Sequence, residues 1–449
     1  MLKNVRIKKG SKYLSQGDFV YRHKFVPVFV KAYGSILEDY KGNKYLDAEA
    51  ANGTANLGFN SDILQSAFKK VENIPSIPSF CETDLRIEIA TRVGKKMKTI
   101  TGENGKVAFE LGGAQGVELG LKVVKSNTKK AQFVVFQGGY HGRSIYTSQF
   151  SASHRYRSLI GDWRIPLIRL PYPDYEQSTS KENMESWKKH TLYYIKQLAE
   201  LEAGGMVTRG VNQDIVALII EPLLNAGGII KPDADFMEEV VRIFRNLGAL
   251  IVVDEIFCGF YRTGKMFGFQ HYNFTPDIVI MSKALTNGIT PLSCVWARDP
   301  YLLPKNFPPG THSATYVNNP LAMATASSVL DRYDQWKDID KDLSGLEKSL
   351  QRIINKIVAS SSLAKSGYAL GGVGRILLKD NIAGEILEIA RTIAWDRPVD
   401  GVSGLILAST GMAPNVVALN PPLNISSKDL VILEKLLQMA FEKTEKKTS

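Results

Sequence analysis

LIVVDEIFCGFYRTGKMFGFQHYNFTPDIVIMSK, residues 250–283, holds two apolar runs, one closing on acids and the other followed directly by a lysine. LIVVDE (250–255) and DIVIMS (277–282) are continuous rather than alternating, and rich in Val and Ile. Such runs suit strands buried on both faces of a parallel sheet. Three more lie upstream: KVAFEL (106–111), QFVVFQG (132–138) and IVALIIEP (215–222). Between them, the patterns at 115–126 and 235–247 predict helices. Strand and helix in turn define an α/β layered domain whose ligand loops lie at the carboxyl ends of the strands.

The character of the chain changes near residue 326. A helix over 320–336 is followed by a polar helix over 339–359 and a Gly-rich patch, GYALGGVGRILL (367–378), whose GGVG reads as a turn. Leu430, Leu433, Leu437, Ala440 and Phe441 keep helical spacing behind Ser426, a capping residue with Asp429 three positions on. The lysine-rich tail EKTEKKTS is expected to fray. The division expected is an N-terminal segment (1–60) joining a small α+β domain (326–449), with a large domain over 61–325.

Composition narrows the class. In 449 residues, 44% are hydrophobic and 22% charged, ordinary globular usage that excludes a mostly disordered chain. Fifty-six Lys and Arg against forty-five Asp and Glu leave +11, but the basic residues are scattered, so no nucleic-acid partner is expected. The basic N-terminus has no apolar stretch behind it, and no apolar window reaches about 18 residues, so neither a signal peptide nor a membrane span is expected. Cys81, Cys258 and Cys294 show neither disulfide nor zinc spacing, which suits a reducing cytoplasm. No metal site is expected.

Asp254 ends one quoted run, an apolar setting where an acid needs a partner or a task. Lys283 follows the other directly. Singly, each has a plain reading: a strand-end carboxylate meeting solvent, and a lysine whose stem packs while its head stays wet. On neighbouring strands they form a pair. A buried lysine loses its proton easily and becomes an amine nucleophile for carbonyl compounds. An acid facing it across a cofactor can keep a pyridine nitrogen protonated, the protein's share of pyridoxal-phosphate chemistry.

The stretch 252–293, with Asp-Glu, Gly, Arg-Thr-Gly, Pro-Asp and Ser-Lys in step, resembles the signature of the class III, omega-type aminotransferases. KGNKYLDAEAANGTANLGF (41–59), GGYHGRS (138–144), EPLLNAGG (221–228) and THSATYVNNP (311–320) resemble further blocks of that family in the expected order. The resemblance implies the aspartate-aminotransferase-like α/β fold (pyridoxal-phosphate fold type I), a large mostly parallel sheet domain plus a smaller α+β domain. It also implies a homodimer with shared active sites, or a higher oligomer built from it, acting on a small-molecule amine and a keto acid by a ping-pong route.

Residue by residue, the resemblance makes Lys283 and Asp254 catalytic: Lys283 binds pyridoxal 5'-phosphate covalently and moves the proton, and Asp254 holds the ring nitrogen protonated. Gly113 and Ala114, in LGGAQG (111–116), would offer backbone N–H groups to the phosphate at a helix start. Tyr140 would lie on one ring face and Ile256 on the other, with His141 and Glu221 nearby. Thr315 would reach the phosphate of the neighbouring subunit's cofactor.

There are departures. Ala114, Gln115 and Gly116 stand where Ser-Gly-Ser-Glu-Ala is commoner, and Phe257 where several amino-acid subfamilies have Gln. Ala418, in NVVALNPPL, replaces an arginine that grips α-carboxylates, and Ala226 replaces the glutamate that parks it. Both halves of that pair are absent together, so neither charge is stranded. Amines or omega-amino acids are therefore expected as donors, Ala418→Arg is expected to favour α-amino acids if the pocket has room, and Arg155 or Arg157 are alternative carboxylate partners. An amino-acid or lactam racemase of the same fold is the competing reading.

Overall fold

A computed structural model describes residues 24–153, 165–172, 181–200, 214–411 and 414–448, with single residues and short runs within 9–17 and 156–163. The chain divides into two compact units, Asp62–Ile339 and Met1–Ser61 with Asp340–Ser449.

The first unit carries a seven-stranded sheet. Its strands are β1 (Gly105–Glu110), β2 (Gln132–Phe136), β3 (Leu167–Leu170), β4 (Ile215–Ile220), β5 (Leu250–Asp254), β6 (Ile278–Met281) and β7 (Ser293–Arg298). The spatial order is β1-β7-β6-β5-β4-β2-β3. All are parallel except β7, antiparallel to both its neighbours. The central β4 and β6 are buried throughout. β1, by contrast, is half-exposed, because an edge strand has one neighbour and turns Lys106 to water. β3 and β7 add to the sequence reading; their apolar cores are too short to register as runs.

The Gly113–Ser126 helix packs on this sheet through Val117 and Val124, against Ile278, Ile280 and Val295. It comes so close that a Cβ on Gly116 would stand 2.8 Å from the Ser293 hydroxyl oxygen. That explains one departure: position 116 has no room for a side chain.

The unit boundary differs from the expected 326 and falls after Ile339. The Pro320–Gln335 helix runs unbroken through 326. It is tied to the Asp84–Thr101 helix by Arg92 to Asp331 and Asp334, both at 2.7 Å, and by Lys96 to Asp334 at 2.7 Å.

In the second unit, Phe29–Tyr33, Ile36–Asp39, Lys44–Asp47 and Gly404–Ile406 form one sheet. Ala364–Leu370, Val373–Leu378, Val416–Leu419 and Ala408–Thr410 form another. GGVG makes the hairpin turn between Ala364–Leu370 and Val373–Leu378, with Gly371 at φ +56°. The tail does not fray as expected. The last helix runs Ser427–Thr448, because Glu445 accepts hydrogen bonds from the Ser361 hydroxyl at 2.7 Å and the Ser362 N–H at 2.6 Å. At its start the Ser426 hydroxyl accepts from the Asp429 N–H, 3.0 Å, as the spacing predicts.

Ala418 is buried in the second sheet and directly opposes Arg375, itself 1% exposed. Cross-strand partners share a face, so an arginine at 418 would set a second buried guanidinium against the first. The expected shift toward α-amino acids depends on room for the new side chain, and this packing leaves little. Ala418→Arg is expected to destabilise the fold by roughly 3 kcal/mol or more. Calorimetric melting checks it: an unchanged Tm with a new α-amino-acid preference would restore the earlier expectation.

Candidate active site

The parallel strands of the first unit deliver their loops to one edge, and the chemistry gathers there. Asp254 is the last residue of β5 and is 3% exposed. A buried carboxylate must find donors. One oxygen accepts the Ile256 N–H at 3.1 Å; the other lies 2.8 Å from Nδ1 of His141, in the loop after β2. The His141 N–H is held in turn by the Ser151 hydroxyl at 2.9 Å. Burial works to lower the imidazole pKa, but the hydrogen bond and charge of Asp254 outweigh it, so His141 holds its proton more tightly than an ordinary histidine. The site therefore contains an acid clamped in place by a basic ring.

Lys283 opens the 3-10 turn Lys283–Thr286 just past β6, the strand beside β5. Its φ is +45°, a left-handed conformation unusual for a residue with a long side chain. That backbone brings the amine to 5.1 Å from the centre of the Phe257 ring. Burial holds the amine below the usual lysine range, against the upward pull of Asp254 and Glu221; Arg262 pushes it lower still. A buried amine that releases its proton readily, close to a buried acid, fits covalent attachment of an aldehyde.

A candidate phosphate cradle is bare backbone. Gly112 caps the Gly113–Ser126 helix with no side-chain bond, so the first-turn N–H groups of Gly113 and Ala114 face outward at the positive end of the helix dipole. Ile256 closes against Gly113: a Cβ there would lie 3.3 Å from its side chain. Ala114 packs beside Gly142, whose Cβ would come within 2.9 Å of the Ala114 methyl. That packing ties the cradle to the GGYHGRS loop and accounts for a small residue at 114.

Tyr140 meets the Tyr156 ring edge-on at 5.4 Å between centres, and its N–H donates to Glu221 at 2.7 Å. Thus Asp254, His141, Glu221, Tyr140, Ile256, Gly113, Ala114 and Lys283 all belong to one strand-end edge. Thr315 does not join them. It is exposed in the loop before the Pro320–Gln335 helix, and among the described residues it makes no hydrogen bond to that cluster.

Several further residues matter. The exposed Arg143 lays its guanidinium over the Tyr156 ring at 4.6 Å and the Tyr140 ring at 5.7 Å. Glu255 is fully buried, accepts the N–H groups of Gly268 (2.9 Å) and Phe269 (2.8 Å), and is pushed up to about 8 by burial. The Asp-Glu pair and the His-Gly-Arg triplet signal their presence in the sequence, but not their tasks. Arg157 is corrected: it is buried and donates to the backbone oxygen of Ser151 at 2.8 Å, so it braces the loop rather than meeting substrate. Arg155 lies outside the described residues.

This donor set fits pyridoxal 5'-phosphate: an amine, an acid clamped by a ring, an uncapped helix start and an aromatic wall. The fold and the site define a pyridoxal-phosphate enzyme of fold type I. The chain belongs to the class III aminotransferases, matching the family described as Aminotransferase class-III over residues 20–441. It is 26% identical to an acetylornithine aminotransferase of Streptococcus mutans over 92% of this chain and 96% of that one. It is 27% identical to an alanine/serine racemase of Pyrococcus horikoshii over 96% and 90% of the two chains. A Bacillus anthracis aminotransferase crystal structure superposes with a TM-score of 0.83 at 23% identity, covering 98% of each chain. The protein is a pyridoxal-phosphate-dependent transaminase.

Borohydride reduction of the holoenzyme is expected to tag a peptide containing Lys283. In the apo-protein, the rate of cofactor attachment should inflect below the pH typical of lysine, since the neutral amine reacts. Asp254→Asn removes the charge that pulls the amine upward, so the inflection moves lower, while turnover drops on the order of 10²-fold or more. An inflection that moves upward in this variant would contradict the assigned electrostatics.

Proposed function

We propose that the enzyme takes an amino group from a simple amine or an omega-amino acid and passes it to a keto acid in two successive half-reactions. The observation that carries this reading is Arg143. Its guanidinium is exposed and stacked on the aromatic pair beside the Asp254–His141 clamp, where a carboxylate some distance from the reacting amine could reach it. Ala226, in the loop after β4, supplies no charge for an α-carboxylate. When bound, the cofactor supplies an electron sink. The chain's own share is to hold the substrate: Lys283 accepts the proton from the substrate carbon and returns it, and Asp254, steadied by His141, keeps the ring nitrogen protonated.

Likeness to the alanine/serine racemase supports a second reading on the same residues. A racemase turns over without an amino acceptor; a transaminase stops after one half-reaction. Mixing the holoenzyme with a panel of amines, omega-amino acids and α-amino acids, with and without a keto acid, separates the two. Simple amines are expected to convert the cofactor's absorbance fully, and Arg143→Met to raise the KM of carboxylate-bearing substrates about tenfold or more while leaving plain amines unchanged. An enzyme inert toward every plain amine overturns the donor assignment.

The working unit we infer is a homodimer in the cytoplasm. Thr315 and Tyr316 (62% exposed) stand near Phe80 (89% exposed), because the Asn318 side chain donates to the carbonyls of Ser79 and Cys81 at 2.9 and 3.0 Å. Exposed aromatics beside a phosphate-seeking hydroxyl suit a second copy of the chain. Three unpaired thiols suit a reducing compartment. Thr315→Ala is expected to weaken cofactor binding by about 1.5–3 kcal/mol. Mixing Thr315→Ala with Lys283→Ala subunits should create one intact site per heterodimer; recovery of no normal site would place Thr315 within its own chain or outside the site.

A further inference from the structure

Glu221 ends β4 and faces the loop that follows β2. It is 5% exposed, and one carboxylate oxygen accepts the Tyr140 N–H at 2.7 Å while the other takes the weaker Asn225 N–H at 3.4 Å. Both loops are braced within themselves. Leu224 and Ile230 exchange backbone bonds at 2.9 and 3.0 Å, and Ala152 donates to the Gly139 carbonyl at 2.8 Å. Between the loops the backbones touch: a Cβ on Gly227 would come within 2.8 Å of the Gly138 carbonyl oxygen, and Gly138 itself has φ +83°. Such contact fixes how near the loops lie but not how one slides on the other. The Tyr140–Glu221 bond, pointing along a defined donor direction, does.

We propose that Glu221 is a positioning residue of the transaminase site: by accepting the Tyr140 N–H it locks the loop after β2 to the strand-end loop after β4. Through that lock it sets the Tyr140 ring, and through the adjoining His141 it sets the Asp254 carboxylate. The inference rests on the cofactor ring lying over Asp254, as proposed above.

The role is one of geometry and not of charge. Burial pushes Glu221 up to about 7, with His141 pulling it down and Asp254 pushing it up, and Lys283 also feels its charge. A carboxyl whose pKa is raised on folding takes stability away as pH climbs from the ordinary carboxylate range to its folded value. An uncharged acceptor of the same shape is therefore expected to be at least as stable above neutral pH. Selection for stability alone does not explain a glutamate here.

The test compares Glu221→Gln, which keeps the length and one acceptor oxygen, with Glu221→Asp, which keeps the charge but retracts it from Tyr140. The readouts are the visible circular dichroism of the bound cofactor, which reports its asymmetric surroundings, and the separation of kcat from KM. Glu221→Gln is expected to keep the dichroic band and a kcat within about threefold. Glu221→Asp should lose much of the band and about tenfold in kcat, with donor KM moving less than about threefold in both. The reverse order, with Asp better than Gln, would show that charge is what matters and overturn the proposal, as would two variants indistinguishable from wild type. Absence of any visible dichroic band from the wild-type protein incubated with pyridoxal 5'-phosphate would instead sink the cofactor reading itself.

Discussion

The 2.8 Å contact between Asp254 and His141 is the constraint around which the large unit is arranged. A carboxylate at the end of a buried strand is costly unless donors surround it. Supplying an imidazole requires that the loop after β2 return to the end of β5, across the intervening β4. That demands a close crossing, and Gly138 and Gly227 allow it by bringing backbone against backbone. Lys283 stands at the end of β6, the strand beside β5, on left-handed backbone.

Burial also sets the chemistry of each group. The same desolvation acts in opposite directions on acids and amines: it raises Glu221 and Glu255 and lowers Lys283. This moves Lys283 toward a nucleophilic amine and the two glutamates toward neutral hydrogen-bonding groups, while Asp254 makes His141 hold its proton more tightly. The acids Asp254, Glu221 and Glu255 can then coexist with Lys283 and His141 without a large unpaired charge. Glu255 illustrates the structural use of such a group: both its oxygens hold backbone N–H donors of the Gly268–His271 turn.

The departures from the usual family pattern acquire different explanations. Gly116 and Ala114 are steric, set by the nearness of Ser293 and Gly142. Ala418 is a position in a packed sheet opposite a buried arginine, so the missing charge there is coupled to one on the next strand. Arg157, which looked like a substrate contact, is consumed by backbone carbonyls. Arg143, two residues past His141, is the exposed cation of that loop, stacked on the aromatic wall.

Much of this was legible in the chain alone. Continuous apolar runs marked the central strands because a parallel sheet buries both faces, and their charged ends marked Asp254 and Lys283 because strand ends are where buried backbone opens to a site. LGGAQG after an apolar run marked the start of a helix. The sequence could not show β7, whose apolar core is short and whose direction is set only by its partners β1 and β6. Nor could it show that His141 clamps Asp254, that Glu221 holds Tyr140, or that Arg157 is spent inside the loop. Those pairings join residues 81 to 113 positions apart, or compete for donors within one loop. Local pattern reports which face of an element is buried; which polar groups meet there is decided only when the strands are stacked in order.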